Sequence, residues 1–528
     1  MRFNTSASST CNLTNPTRLS PAENGETSLK CSARMSCNCL TCGTIINYLI
    51  RNMNLRMLVQ LLAATTLLSA LAPAQAAETK PNILFIVADD LGWKDVGFHG
   101  SDIQTPNLDK LAAGGSKLEQ FYAQPMCTPT RAALMTGRYP FRYGLQTGVI
   151  PTGQKYGVPA DEWFFPQALK EAGYQTAIIG KWHLGHGDKG LWPPQRGFDY
   201  QYGPLIGEID YFTHECEGVV DWYRNNRVVK EKGYSTTLLG NDAVKFITQH
   251  DAARPLYLYL AFNAPHTPYQ ATQEYLDRYK QITDPSRRAY AASITAMDEQ
   301  IGRVVATLDE MKLRDNTLIV FMSDNGGTRN AMFAGAMADV SKVKIPCDNG
   351  PYREGKGMNY EGGTRVVALA NWPGHIPAGA TVNEMIHVVD WYPTLAGLAG
   401  ASTSKCKPLD GLNVWPTISE NKPSPRTEVV YNVEPFRAAV RQGDWKLVWR
   451  TTLPASVELF NIPVDPSEKN NVAAEHPDIV ARLQARVNEL AAQAAKPMLL
   501  QVGFKEIMHQ FHLPPAFPGE EFDFSNEQ

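Results

Sequence analysis

The stretch NILFIVADD, residues 82–90, joins a short apolar run to two acidic residues that follow it directly. Three more short apolar runs, at residues 175–179, 256–262 and 317–322, also end in polar side chains. Runs of this length, bounded by Gly, Pro, Asp and Asn, are typical of strands that are buried on both faces. The pattern therefore predicts a sheet whose strands deliver polar residues to one edge.

Helical patterns lie between these runs, and the clearest covers residues 286–312. Its apolar residues recur at the spacing of one helix face, at Tyr290, Ile294, Met297, Ile301, Val304, Leu308 and Met311. Strands that alternate with helices predict an α/β sandwich with a large, mostly parallel or mixed central sheet. Ligands of such folds bind beyond the carboxyl ends of the strands, so the polar residues there are candidates for a functional site.

Four of these polar residues are suited to hold a metal ion. Asp89 and Asp90 follow the first run, and Asp324 and Asn325 follow the last. Carboxylate and amide oxygens are hard ligands, which Ca²⁺ and Mg²⁺ prefer. Either pair alone is more often part of a solvated loop, but two such pairs at two predicted strand ends favour one divalent-cation site. The residues alone fit either Ca²⁺ or Mg²⁺.

The motif CTPTR, which begins at Cys127, has the spacing C-x-P-x-R. Pro129 fits the first position of a helix, and Thr128 fits its N-cap. Cys127 would then lie at the positive end of that helix, where an anion such as sulfate is stabilised. The alternative is a buried structural cysteine that precedes a capped helix.

Three further motifs contribute cations and imidazoles. GKWHLG places Lys181 and His183 two residues apart, so that in an extended chain both point to one face. PHTP holds His266 between two prolines, and GKG carries Lys356. Each motif alone is also compatible with an ordinary turn or a surface loop.

With these motifs the chain resembles the sulfatase family over nearly all of the sequence after residue 77. The resemblance lies in residues 89–92, 127–138, 180–185, 263–268, 323–327 and 355–365. It implies an alkaline-phosphatase-like sandwich. Within the family the chain is most similar to the arylsulfatase B, or N-acetylgalactosamine-4-sulfatase, type, as residues 138–147, 210–215 and 409–425 indicate. Position 130 departs from the family pattern, because it holds Thr where most members have Ser.

The resemblance implies a metal centre and a modified cysteine. Asp89, Asp90, Asp324 and Asn325 would hold one divalent cation, for which the resemblance implies Ca²⁺, with Mg²⁺ as the alternative. Cys127 would be oxidised by the formylglycine-generating enzyme to formylglycine, whose hydrate would be a further metal ligand and the nucleophile. The core requirement of that modifying enzyme, C-x-P-x-R, is intact.

The resemblance also implies how the remaining residues act on a sulfate ester. Arg131 would hold the formylglycine hydrate. Lys181, His183 and Lys356 would bind the sulfate group, with His183 also acting as the base that regenerates the aldehyde. His266 would protonate the leaving alcohol. A metal and several cations stabilise negative charge on the sulfuryl group, while an acid and a base serve the two alcohols.

The implied function is that of a sulfuric ester hydrolase, which cleaves aryl sulfates and sulfated sugars such as 4-sulfated N-acetylgalactosamine. One alternative is a phosphate or phosphonate ester hydrolase of related fold, and another is a catalytically silent carbohydrate-binding protein. The motifs C-x-P-x-R and GKWHLG favour sulfate, and a pure binding protein has no need of the acid, base and metal set. The net charge of −3 indicates no nucleic-acid partner.

The sequence predicts four parts along the chain. Residues 1–52 are expected to be a non-native or disordered leader, and residues 53–76 a signal peptide with an apolar stretch and a small-residue cleavage site. Residues 77–424 form the predicted catalytic domain. Residues 425–528 form a smaller C-terminal domain and tail. Its predicted elements are strands at 428–432, 438–441, 445–449 and 457–461 and a helix at 476–493.

The predicted signal peptide indicates export to the periplasm or the extracellular space. No later segment has the length and apolar character of a membrane span. No Asn-x-Ser/Thr glycosylation site follows residue 77, which favours a bacterial over a lysosomal protein.

Overall fold

The computed structural model describes residues 80–329 and 345–503 of the 528-residue chain. The leader predicted at 1–52 and the signal peptide predicted at 53–76 lie outside the described residues. Within the described ranges, no helix combines the length and the apolar character that crossing a bilayer requires.

A large mixed sheet forms the centre of the structure, as the sequence predicts. The strands up to residue 387 are β1 (Asn82–Ala88), β2 (Ser116–Tyr122), β3 (Gln175–Gly180), β4 (Tyr200–Gly203), β5 (Glu215–Cys216), β6 (Val219–Val220), β7 (Tyr223–Arg224), β8 (Arg227–Val228), β9 (Leu256–Ala261), β10 (Thr317–Ser323), β11 (Ala368–Asn371) and β12 (Ala380–His387). The order in the sheet is β12-β2-β11-β10-β1-β9-β3-β4-β7-β8, and β5 pairs with β6 separately. The four apolar runs are β1, β3, β9 and β10, which lie side by side and parallel.

Helices cover both faces of this sheet. They are α1 (Pro106–Ala113), α2 (Cys127–Thr136), α3 (Phe165–Glu171), α4 (Ser235–Thr248), α5 (Gln273–Asp277), α6 (Pro285–Glu310), α7 (Glu361–Thr364), α8 (Trp391–Ala399) and α9 (Trp415–Glu420). Alternate residues of β1 point to opposite faces of the sheet. Phe85 packs in the hydrophobic cluster that includes residues of α2, α3 and α8, and Ile86 packs in the cluster that includes residues of α4 and α6. Burial on both sides explains why the central strands are apolar throughout.

The long helix α6 corresponds to the helical pattern predicted at 286–312. It begins after Asp284, whose carboxylate accepts a hydrogen bond from the backbone N–H of Arg287 at 2.9 Å. A side-chain acceptor at this position satisfies one of the free amides of the first turn. The face of the helix that carries Tyr290 and Met297 is buried against the sheet.

The C-terminal part contains the antiparallel sheet and helix that the sequence predicts. Its strands are β13 (Glu428–Val433), β14 (Arg437–Gln442), β15 (Trp445–Arg450) and β16 (Ser456–Asn461), followed by α10 (Pro477–Ala491). They pair antiparallel in chain order. The domain boundary predicted at residue 424 stays a prediction.

The register of the central strands brings their polar ends to one edge. Ala88 of β1 pairs with Ser323 of β10, and Val87 pairs with Ala261 of β9. Ala261 in turn pairs with Gly180 of β3. Four parallel strands therefore end at nearly the same level, and the residues that follow them lie together.

The start of α2 differs from the prediction. The helix begins at Cys127, and Thr128 is its second residue and not its N-cap. The hydroxyl of Thr128 donates to the carbonyl of His183 at 3.1 Å and accepts from the N–H of Ile150 at 3.3 Å. The hydroxyl of Thr128 therefore bonds residues remote in sequence, whereas the local sequence pattern predicted that it caps α2. The hydroxyl of Thr130 bonds both the N–H and the carbonyl of Gln124 at 3.0 Å, which holds the segment that leads into the helix.

Candidate active site

The turns that follow β1 and β10 lie side by side and are hydrogen-bonded to each other. Asp90 has a left-handed backbone, with φ of 65°, a conformation that aspartate tolerates better than most residues. Its N–H donates to Oδ1 of Asp324 at 3.2 Å, which ties the two strand ends together. Asp89, Asp90, Asp324 and Asn325 are all buried, with at most 2% of their surface exposed. Buried carboxylates require partners, and each of these has them.

The side chains of four residues converge on one point of this edge. Ligand atoms of Asp89, Asp90, Cys127 and His266 all lie within 4.8 Å of one another. Asn325 adjoins them, since its Nδ2 donates to Oδ1 of Asp90 at 2.7 Å. Oδ1 of Asn325 is buried and has no hydrogen-bond partner among the described residues. Clustered carboxylates and a spare amide oxygen fit a hard divalent cation.

One predicted metal ligand, Asp324, and one residue outside the predicted metal set, His266, need separate comment. Oδ2 of Asp324 accepts two hydrogen bonds from Arg131, so its other oxygen, which faces Asp90, is the one available to an ion. His266 has a ring nitrogen in the cluster, although the sequence assigns it only an acid role. The sequence places His266 at the same edge, because it follows β9, but it gives no signal that the ring comes within reach of the acidic pair.

Cys127 lies at the first turn of α2, at the centre of this edge. Its Sγ is 3.3 Å from Oδ1 of Asp89, and the side chain is 1% exposed. Burial, followed by the negative charges of Asp324 and Asp89, raises the pKa of the Cys127 thiol well above its ordinary value. A reactive cysteine thiolate normally has a lowered pKa, so the encoded thiol is poorly suited to act as a nucleophile itself.

Three cations neutralise the three carboxylates. Nζ of Lys181 is 2.5 Å from Oδ2 of Asp89, and Nζ of Lys356 is 2.8 Å from Oδ2 of Asp90. The guanidinium of Arg131 binds Asp324 and also donates to the carbonyl of Lys181 at 3.0 Å. Burial raises the pKa of Asp90, but the positive charges of Lys356 and His266 lower it by more than burial raises it. The pKa of Asp90 therefore lies below its usual range.

His183 also has a left-handed backbone, with φ of 59°. Its Nε2 is 3.3 Å from the carbonyl oxygen of Ile150, and its buried Nδ1 has no partner in the described part of the chain. A Cβ on Gly207 would come within 2.3 Å of the His183 ring, so only glycine allows the neighbouring loop to approach this closely. Burial and the positive charges of Lys181 and Arg131 hold the pKa of His183 well below its usual range.

His266 lies between a cation and a carboxylate. Its Nε2 is 2.8 Å from Nζ of Lys356 and 3.5 Å from Oδ2 of Asp90. Burial and Lys356 lower the pKa of His266 to about 4, and Asp90 opposes them. The imidazole is therefore neutral at neutral pH in this environment.

Sequence reasoning assigned no role at the site to two residues that support it. The hydroxyl of Thr328 donates to Oδ2 of Asp90 at 3.2 Å. The hydroxyl of Tyr211 donates to the carbonyls of Asn263 and His266, both at 2.8 Å, and so holds the turn that carries His266. Thr328 lies only three residues after Asn325, a proximity that could have raised it as a candidate, whereas Tyr211 is remote in sequence.

An open cavity of about 530 Å³ leads to this edge. Cys127, His183, His266 and Lys356 line its inner end. Its outer walls come from residues 149–152, 206–210 and 215–217, which mix aliphatic side chains with carboxylates. Both the predicted nucleophile and the predicted acid and base are thus accessible from one cleft.

Comparisons with known proteins agree with this geometry. Residues 81–401 match the family model "Sulfatase", and residues 354–493 match "N-sulphoglucosamine sulphohydrolase, C-terminal". Mouse arylsulfatase J is 35% identical over 469 residues, covering 78% of this chain and 76% of the relative. Human N-acetylgalactosamine-6-sulfatase is 33% identical over 421 residues, covering 76% of this chain and 77% of the relative.

Solved structures show the same similarity. Ps i-CgsB, in a crystal structure with k-i-k-neocarrahexaose, is 35% identical with a TM-score of 0.73, covering 82% of this chain and 99% of that chain. The alkaline-phosphatase-like architecture that the sequence predicts is thereby confirmed. The narrower similarity to the arylsulfatase B type stays a prediction. From the family model, the relatives and the solved structure together, the chain belongs to the sulfatase family, enzymes that hydrolyse sulfate esters.

Proposed function

We propose that this sulfatase cleaves sulfate esters of sugars with formylglycine derived from Cys127 and one divalent cation, Ca²⁺ or else Mg²⁺. The observation that carries the proposal is the convergence of Cys127 with Asp89, Asp90 and His266 within 4.8 Å at the inner end of an open cleft. Around them stand the cations of Arg131, Lys181 and Lys356.

The environment of Cys127 supports its modification. A thiol whose pKa is raised by burial and by two carboxylates is a weak nucleophile at neutral pH. Formylglycine, when formed there, supplies a hydrated aldehyde whose hydroxyl attacks the sulfur. Because Cys127 is 1% exposed in the fold, the formylglycine-generating enzyme must reach C-x-P-x-R before the chain folds.

The cation site is proposed from the oxygen atoms at the strand ends. Asp89, Asp90, Asp324 and Asn325 would hold the ion, and residue 127 would contribute a further ligand. A divalent cation at this place supplies Lewis-acid stabilisation of the charge on the sulfuryl oxygens. Oδ1 of Asn325 is buried and has no hydrogen-bond partner among residues 80–329 and 345–503, which supports its assignment as a ligand.

The remaining residues are proposed to bind and orient the sulfate group. Lys181, Lys356 and His183 lie around Cys127, and the two ammonium groups offer donors to an anion. Arg131 is anchored to Asp324 and to the Lys181 carbonyl, so it holds the first turn of α2 at a fixed distance from the metal ligands. Such preorganised positive charge stabilises the negative charge of the transition state.

Proton transfer is assigned to the two histidines. His183 is held neutral, and its Nε2 donates to the Ile150 carbonyl, so Nδ1 carries a lone pair that can accept a proton. The negative charge of a bound sulfate group would raise the lowered pKa of His183 and so favour this transfer. His266 is proposed to protonate the leaving alcohol. Its pKa of about 4 is set by burial and by Lys356, and the approach of an anionic sulfate ester favours its charged form.

Sugars are the proposed substrates because the cleft offers acceptors for hydroxyl groups. Glu208, Glu215 and Glu217 line its outer wall, and carboxylates accept hydrogen bonds from hydroxyls. Ps i-CgsB was solved in complex with k-i-k-neocarrahexaose, and other relatives carry N-acetylgalactosamine-6-sulfatase as their name. A 4-sulfated N-acetylgalactosamine is the specific candidate, in a protein exported to the periplasm or the extracellular space.

Rates of hydrolysis on matched esters test the proposal. Purified enzyme from a host that installs formylglycine should cleave nitrophenyl sulfate and sulfated N-acetylgalactosamine, and cleave nitrophenyl phosphate far more slowly. Cys127→Ala should fold normally and lose turnover of all three. Phosphate hydrolysis that exceeds sulfate hydrolysis would favour the phosphate ester alternative, and a folded enzyme inactive on every ester would favour the silent binding protein.

A further inference from the structure

The one-turn helix α7 occupies a junction between three segments of the candidate site. The carbonyl of Gly363 accepts from the N–H of Gly326, which follows the metal ligand Asn325, at 3.0 Å. The carbonyl of Thr364 accepts from the N–H of Ala123, in the segment that leads into α2, at 2.8 Å. The N–H of Gly362 donates to the carbonyl of Arg353, just before Lys356, at 2.8 Å. A shift of α7 must therefore move the metal ligand, the cysteine segment or the sulfate-binding lysine.

The contact between α7 and the turn after Asn325 is too close for any side chain. A Cβ on Gly326 would lie 1.8 Å from the carbonyl oxygen of Gly362. Backbone packs directly against backbone here, so the position of α7 is transmitted to the strand end of β10 without a compressible side chain between them.

The position of α7 is set by its first residue, Glu361, whose side chain is fully buried. Oε1 of Glu361 is 2.9 Å from Nζ of Lys446 on β15 and accepts from the hydroxyl of Tyr431 on β13 at 2.7 Å. Oε2 accepts from the hydroxyl of Tyr122 on β2 at 3.0 Å. The carboxylate thus joins α7 to the C-terminal sheet and to the central sheet at once.

A second carboxylate completes the group. Glu468 lies after β16, and its Oε1 is 2.7 Å from Nζ of Lys446. Its Oε2 accepts from the backbone N–H of Glu361 at 2.7 Å, so it caps α7 directly. The side chains of Lys446, Glu361 and Glu468 are all 0% exposed. Three buried charges in one cluster are stable only while each has its partner.

We propose that Lys446, Glu361 and Glu468 form a positioning cluster, through which the C-terminal sheet sets the place of Lys356 and Asn325 relative to Cys127. None of the three touches the cleft, so they act through α7 and not on the substrate. The proposal rests on the proposed function, because its effect is read as the rate of sulfate ester hydrolysis. It assigns to the C-terminal sheet a part in catalysis beyond stabilising the fold.

The test uses Lys446→Met in the full-length, formylglycine-containing enzyme. The variant keeps the volume of the side chain and leaves two buried carboxylates without their shared cation. We expect kcat for nitrophenyl sulfate to fall by about 10²-fold, the loss that a displacement of about 1 Å produces. Inorganic sulfate should bind about tenfold more weakly, as measured by calorimetry, because the ammonium of Lys356 moves.

Asp298→Asn is the matched control. Asp298 is also fully buried, and within the part of the chain that the structure describes its carboxylate bonds only the first turn of α1, through the N–H groups of Asn107 and Leu108 and the Asn107 amide. The control should lower the melting temperature but leave kcat and sulfate binding near the wild-type values. Equal losses of kcat in Lys446→Met and Asp298→Asn would show that the cluster only stabilises the fold, and would overturn the proposal.

Two further variants provide a second check, which remains usable if Lys446→Met alone fails to fold. Lys446→Met combined with Glu468→Gln restores the net charge of the cluster, and the new amide can donate to Glu361, so part of the lost kcat should return. Tyr431→Phe removes one donor to Glu361 and should lower kcat by about two- to fivefold. Wild-type kcat in folded forms of these variants overturns the proposal, whereas an inactive wild-type enzyme would instead contradict the proposed function.

Discussion

The guanidinium of Arg131 donates two hydrogen bonds to one carboxylate oxygen of Asp324, from Nε at 3.0 Å and from Nη2 at 2.8 Å. Arg131 lies one helical turn after Cys127, and Asp324 directly follows β10. This contact joins the helix that carries the proposed nucleophile to the strand end that carries the proposed metal ligands. Both side chains are almost completely buried, so water does not compete for the contact.

Arg131→Lys should therefore lower activity strongly, although it keeps the charge. Lysine has one donor centre and cannot reproduce the paired geometry or the third bond to the Lys181 carbonyl. We expect kcat/KM for nitrophenyl sulfate to fall by about 10²-fold. Formylglycine content must be measured by mass in parallel, because Arg131 also belongs to the C-x-P-x-R motif. A fully modified variant with wild-type kcat/KM would contradict the positioning role.

His266→Ala should discriminate between good and poor leaving groups. A sugar alkoxide leaves far less readily than nitrophenolate, so protonation of the leaving oxygen contributes more to the sugar reaction. The loss on a sulfated sugar should approach the range of about 10²–10⁴-fold that general acids supply, and the loss on nitrophenyl sulfate should be much smaller. Initial rates of His266→Ala and of the wild-type enzyme on both substrates measure this difference. His183→Ala, assigned to a different step, should slow both substrates alike, and the reverse pattern would exchange the two roles.

Removal of divalent cations should abolish activity and lower thermal stability. With chelation, Asp89 and Asp90 lose the proposed ion and retain the protein's own counter-charges, Lys181 and Arg131 beside Asp89 and Lys356 beside Asp90. Ca²⁺ at about 100 times its Kd should restore activity and add about 2.7 kcal/mol to the free energy of unfolding. Melting curves at several Ca²⁺ concentrations measure the effect. A chelated enzyme of unchanged activity and melting temperature would contradict the metal site, and Mg²⁺ in place of Ca²⁺ tests the alternative ion.

The sequence predicts the acidic residues of this site better than it predicts where the neighbouring helix begins. Asp89 and Asp324 are recognisable because each ends a short apolar run, and parallel strands must end at one edge. The predicted start of α2 was wrong, because the hydroxyl of Thr128 bonds the distant His183 carbonyl and does not cap its own helix. Tyr211 and the partners of Glu361 were not predicted, since contacts between β2, β13 and α7 depend on tertiary packing that no local pattern encodes.

The buried group around Glu468 should make stability depend on pH. Burial raises the pKa of Glu468 to about 7 from its ordinary value of 4.5, and Lys446 opposes the shift. A raised folded-state pKa means that the folded chain binds the proton more tightly than the unfolded chain. This contribution is therefore fully present below pH 4.5 and is lost as the pH rises through about 7.

Glu468→Gln should flatten that part of the pH profile. Chemical denaturation between pH 4.5 and 8 gives the free energy of unfolding at each pH, and the difference between wild type and variant isolates this group. Glu489→Gln, at an exposed position of α10, is the matched control and should leave the profile unchanged. A wild-type slope that persists in Glu468→Gln would show that another group is responsible.

The mass of the peptide that contains residue 127 tests the central claim most directly. Trypsin releases residues 118–131 as one peptide, LEQFYAQPMCTPTR. In active enzyme from a host that carries the formylglycine-generating enzyme, this peptide should be roughly 18 Da lighter than encoded, and activity should rise in proportion to the modified fraction. An enzyme of full activity on sulfate esters whose peptide has only the encoded cysteine mass would contradict the account.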